Sequence, residues 1–180
     1  MSPSSIRTDN SAQCIRSAID LEVQAGLLYL QLAARFADQP WWSSLLRGLA
    51  DEEAEHASRI RLLERLQGGR LAPPEKLGRI AGDLRRAHDR ITSFQRHFAE
   101  TRPVPATEVL DAAGEVEMAF QAVHAEIVAA TLLPEARDLF RSLAKHDAHH
   151  ETVLARARER LAREEAARPP VAAAGGACSR

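Results

Sequence analysis

Cysteine is nearly absent: Cys14 and Cys178 are the only two in 180 residues. They lie far apart and form no CxxC pair, which argues against a disulfide framework and for a reducing compartment. An excess of either charge is also missing, since 24 basic and 25 acidic residues leave a net charge of -1. Electrostatic capture of nucleic acid or of an anionic membrane is therefore not expected. The first residues, MSPSSIRTDNSAQ, contain no apolar leader, and no run approaches the roughly 18 uninterrupted apolar residues of a membrane span. A cytoplasmic protein is the expectation. Alternation with the strand period of two is absent throughout.

What is present is helical periodicity. Glycine and proline cluster at DQPWW (38–42), GGRLAPP (68–74), TRPVPAT (101–107) and the terminal run from Arg168. Between them the apolar spacing predicts helices from about Asn10 to Ala37, Ser43 to Gln67, Ala106 to Thr131 and Pro134 to Ala166. Residues 75–99 carry a 3-4 pattern of their own, Ile80, Leu84, Ala87, Ile91, Phe94 and Phe98. A helix there would span roughly 37 Å at about 1.5 Å per residue. That length lets the chain return along a bundle, so the predicted fold is all-α: two antiparallel hairpins joined by a long crossover containing an extra helix. One domain over 10–166 is expected, between disordered tails at 1–9 and 167–180.

The two hairpins look like copies. Residues 40–56 and 134–150 align without a gap and share Pro40/Pro134, Leu45/Leu139, Arg47/Arg141, Leu49/Leu143, Ala50/Ala144, Ala54/Ala148 and His56/His150. An internal duplication accounts for this. At an offset of 95 the first helices pair Glu22 with Glu117.

These repeats put polar residues where core residues belong. The second helix has its stripe at Leu46, Leu49, Ile60 and Leu63, and the same spacing passes through Glu53 and His56. In the last helix the stripe Phe140, Leu143, Leu154 and Ala157 passes through Asp147 and His150. Glu22 and Glu117 interrupt the other two stripes. Asp51, Glu52, Glu55, His146, His149 and Glu151 fall off the stripes and read as solvated or supporting positions. Trp41 and Trp42 read as a plug under a loop.

Four carboxylates in one core would cost several kcal/mol each if charged and unpaired. Lysine and arginine are absent from the inner stripes. Two divalent metals would balance four carboxylates and two neutral imidazoles, and this oxygen-rich set with a few nitrogens suits iron or manganese better than zinc. Each acid-x-x-His pair, at i and i+3, aims both side chains from one helix face. A bundle with satisfied polar core residues, or a surface chelating patch of His146 and His150, are the plainer readings.

With Glu22, Glu53-Ala-Glu-His56, Glu117 and Asp147-Ala-His-His150, the chain resembles the ferritin-like di-iron carboxylate proteins, and most closely the rubrerythrin family, over about residues 10–165. The resemblance implies a ferritin-like four-helix bundle holding two iron ions per chain, or manganese. Glu53 and Asp147 would bridge the metals, Glu22 and Glu117 would be terminal ligands, and His56 and His150 would each bind one metal. Tyr29 would donate a hydrogen bond behind the ligands, and His124 takes the matching place.

The implied activity is that of an oxidoreductase reducing hydrogen peroxide or dioxygen, oxidising ferrous iron, or both. The alternatives are a non-catalytic iron-binding or storage protein, and a structural bundle with a decayed metal site. The family also implies a homodimer. The chain departs from it with Asp147 in place of the usual Glu, and with Phe120 where rubrerythrins proper tend to carry a further Glu. It shows no rubredoxin-type cysteine domain, so electrons would come from an external donor protein or from substrate iron.

Overall fold

The computed structural model describes residues 3–67 and 72–167. Five helices follow one another: α1 (Pro3–Arg35), α2 (Pro40–Gln67), α3 (Pro74–Glu100), α4 (Ala106–Ala130) and α5 (Pro134–Ala166). No strand occurs among the described residues. Links of a few residues join α1 to α2 and α4 to α5, and each pair packs along its length as an antiparallel hairpin. The crossover helix α3 packs against α1 and α4, while α2 meets α5 on the opposite side. The architecture is an all-α, ferritin-like bundle with one added helix.

Proline starts these helices more than it stops them. Pro74 and Pro134 lie in the first turns of α3 and α5, where a missing N–H removes no intrahelical bond. The same role explains two differences from the expected boundaries. Helix α2 begins at Pro40 and not at Ser43, and α1 begins at Pro3 and not at Asn10. A disordered tail over 1–9 was expected; the stretch from Ser4 contains no glycine or second proline to break the helix, and it continues α1. Residues 1–2 and, apart from Ala167, the whole expected C-terminal tail lie outside the described residues, Cys178 among them.

The core is made by the predicted stripes: Leu46, Leu49, Ile60, Phe120, Phe140, Leu143 and Leu154 are buried, as are Ile80, Leu84 and Ile91 of α3. Each fully buried aliphatic or aromatic side chain contributes about 1.5–3 kcal/mol. Trp42 is buried against Phe36, and Trp41 meets it edge-on under the guanidinium of Arg160, which lies 4.2 Å from the ring centre. Cys14 is a free, buried thiol, and burial raises its pKa. No described helix is long and apolar enough to cross a membrane.

Candidate metal centre

Seven ionisable side chains meet in the middle of the bundle: Glu22, Glu53, His56, Glu117, His124, Asp147 and His150, all buried. Tyr29 is buried with them. Each enters from the core face of its helix, because the polar residue takes a position at which the 3-4 spacing would otherwise put an aliphatic one. No described lysine or arginine is buried, so no fixed cation compensates the acids.

The ligand atoms form two groups, Glu22–Glu53–His56 and Glu53–Glu117–His150, with the atoms of each group within 4.8 Å of one another. Glu53 belongs to both. His56 Nδ1 lies 3.1 Å from Glu53 Oε2, within hydrogen-bond distance, and 3.6 Å from Glu22 Oε2. His150 Nδ1 donates to Glu117 Oε2 at 3.0 Å and stands 3.4 Å from Glu53 Oε1. Asp147, expected as a second bridge, lies outside both groups and accepts from His124 Nδ1 at 2.7 Å. His124 Nε2 donates to Glu22 Oε1 at 3.1 Å, and the Tyr29 hydroxyl donates to Glu117 Oε1 at 2.5 Å.

Two residues that the stripes left outside complete the arrangement. Glu52 Oε2 accepts from His150 Nε2 at 2.8 Å, and His146 Nδ1 lies 3.2 Å from His56 Nε2. Their i−1 spacing from Glu53 and Asp147 turns them off the core face toward the facing helix across the α2/α5 seam. The repeat alignment carried the signal, since Glu52 and His146 are equivalent at an offset of 94. The other four off-stripe residues, Asp51, Glu55, His149 and Glu151, are exposed.

The electrostatics are those of crowded acids sharing protons. Burial, followed by the charge on Glu22, pushes the Glu53 carboxyl well above the ordinary range. Burial also raises Glu117, against the hydrogen bond from His150. Burial opposes ionisation of Glu22 as well, but the hydrogen bond from His124 and the nearby ring of His56 outweigh it and hold its pKa well below the usual range. For the histidines burial favours the neutral ring; bonds to Asp147 and Glu22 nevertheless bring His124 to about 9, and bonds to Glu117 and Glu52 bring His150 to about 9. Burial and the neighbouring Glu117 keep the Tyr29 phenol protonated.

Three buried carboxylate oxygens, Glu22 Oε2, Glu53 Oε1 and Asp147 Oδ1, have no hydrogen-bond partner among the described residues. An orphaned buried acceptor costs about 1–3 kcal/mol, more when charged. All three belong to the acids of the centre, and two of them are ligand candidates facing His56 and His150. Hard oxygen donors with one imidazole nitrogen per group fit a pair of divalent first-row metal ions.

Comparison with known proteins agrees with this geometry. The rubrerythrin family model matches residues 13–158, which reaches into all five helices and includes every residue of the centre. No curated protein and no solved structure gives a significant match. With a match over most of its length, the chain belongs to the rubrerythrin family.

Proposed function

We propose that the chain is a non-haem di-iron oxidoreductase that reduces peroxide or dioxygen, oxidises ferrous iron, or both, in the cytoplasm and as a homodimer supplied with electrons by a donor protein or by substrate iron. The observation that carries this reading is the pair of acid–imidazole groups sharing Glu53, with unpartnered carboxylate oxygens on Glu22 and Glu53. Glu22, Glu53 and His56 would hold one metal, and Glu53, Glu117 and His150 the other; Asp147 would join them if His124 released it. Bound iron would supply the one-electron steps between ferrous and ferric states. The protein side chains do the rest. The carboxylates favour the higher charge, Tyr29 keeps a proton 2.5 Å from Glu117, and the aliphatic walls exclude bulk water.

The second reading, iron binding without turnover, is favoured by the diversion of Asp147 to His124. Anaerobic ferrous titration of the metal-free protein, followed by air or peroxide, tests the first reading. Saturation near two irons per chain with near-ultraviolet ferric absorbance, both lost in Glu53→Ala, is the expected result. Binding without oxidation by peroxide would leave the storage reading; no stoichiometric binding would remove both.

A further inference from the structure

The four side chains that support the ligands occupy two pairs of equivalent repeat positions, Glu52 with His146 and Tyr29 with His124. Each reaches across to the opposite hairpin. From α2 Glu52 meets His150 of α5, and from α5 His146 meets His56 of α2. From α1 Tyr29 meets Glu117 of α4, and from α4 His124 meets Glu22 of α1. Glu22 with Glu117 and His56 with His150 keep the two-fold pattern, Asp147 departs from it by lying outside both groups, and the supports break it further. Both supports of the Glu22–Glu53–His56 group are imidazoles, which carry no negative charge in either protonation state. The supports of the Glu53–Glu117–His150 group are a phenol and a carboxylate.

We propose, resting on the reading of this centre as a two-metal site, that the halves are unequal metal sites: Glu53–Glu117–His150 takes the first and tighter divalent ion, and Glu22–Glu53–His56 the second and looser one. Glu52 is the positioning residue that makes the difference. Its carboxylate accepts the Nε2 proton of His150, which fixes the ring with Nδ1 facing the metal position, increases the donor strength of that nitrogen and adds a negative charge to this half. His146 presents a ring nitrogen 3.2 Å from His56 Nε2 and adds no negative charge. Orienting carboxylates of this kind typically change metal affinity by about 10–100-fold.

The test is an anaerobic calorimetric titration of the metal-free chain with ferrous ion, repeated with manganous ion. The wild type is expected to bind in two resolved steps. Glu52→Ala should weaken the tighter step by about tenfold or more and bring the two together. His146→Glu, which places a carboxylate opposite His56, should tighten the looser step by a similar factor. Both positions are at least partly exposed, so unchanged far-ultraviolet circular dichroism is expected and separates these effects from misfolding. Two indistinguishable steps in the wild type, or a looser step unmoved by His146→Glu, would overturn the inequality and leave the metal centre standing. Absence of stoichiometric binding in the wild type would instead overturn the reading of the centre itself.

Discussion

The Tyr29 hydroxyl lies 2.5 Å from Glu117 Oε1, with both side chains buried, and ties α1 to α4 across the middle of the bundle. Tyr29→Phe keeps the ring and removes this one donor. The metal-free variant should lose about 1–3 kcal/mol of stability, the usual cost of leaving a buried acceptor without its partner. Urea unfolding of the metal-free proteins measures it; an unchanged midpoint would mean that Glu117 finds another donor.

His124 and His150 both hold their protons more tightly than a free imidazole, at about 9 against 6.5. A group whose pKa is raised by folding contributes stability that is complete below its unfolded value and is lost as pH rises through its folded value. Glu53 is raised as well and acts in the same direction from about pH 4.5 upward. The metal-free protein should therefore lose stability between about pH 6.5 and 9, by on the order of 3 kcal/mol for each histidine. His124→Asn should flatten the slope without abolishing it. A urea midpoint that holds steady or rises across this window would contradict the prediction.

The same protons must leave when metal enters. Burial and the charge on Glu22 make Glu53 hold a proton more tightly than a free carboxyl, and His150 titrates at about 9, so at each a proton competes with a divalent cation for the ligand atom. Ferrous or manganous binding should release protons and tighten as pH rises from about 6 to 8. Calorimetry in two buffers of different ionisation enthalpy reads the proton count directly. Equal heats in the two buffers would mean that the ligands are already deprotonated.

Gly26 lies where α1 comes close to α2 beside the centre. A Cβ there would lie 3.3 Å from the backbone oxygen of Ala50 and 3.6 Å from Glu53 Cβ, whereas one on Gly48 would meet nothing within 4 Å. In an open helical position alanine is worth about 1 kcal/mol over glycine. Gly48→Ala should therefore raise the melting temperature. Gly26→Ala should gain less or lose, and should also weaken metal binding by displacing the helix that carries Glu53. Comparable gains in the two variants would show that the α1–α2 spacing is soft.

Glu22, Glu53, Glu117 and the two acid-x-x-His pairs were legible in the sequence because each interrupts an otherwise apolar stripe, and helical spacing alone then decides that they share an interior. Fold class followed from the same periodicity. The seat of α3 was not legible, because an amphipathic face states that it is covered and not by what. Gln95 and Phe98 meet α1 through Gln24, Gln31 and Arg35, contacts between segments far apart in the chain. Nor did spacing separate Glu52 and His146 from the four neighbours that point into solvent. That distinction depends on how near α2 and α5 come to each other. Asp147 shows a third limit: its register placed it in the centre correctly, but its hydrogen bond to His124 is a choice among nearby partners that only three-dimensional geometry settles.

The crossover helix gives the centre a sealed back and a thin front. Phe120 and Phe140 pack against His124, and α3 packs against α1 and α4, the helices that carry Tyr29 and His124. In front, the partly exposed Glu52 and His146 lie against the buried His150 and His56. Traffic through the front needs a side chain to turn, an event of picoseconds to nanoseconds at exposed positions, whereas traffic through the back needs packed helices to part, which takes microseconds or longer. On the α2/α5 face the rotamers of Glu52 and His146 are therefore the faster-moving part of the centre's surroundings.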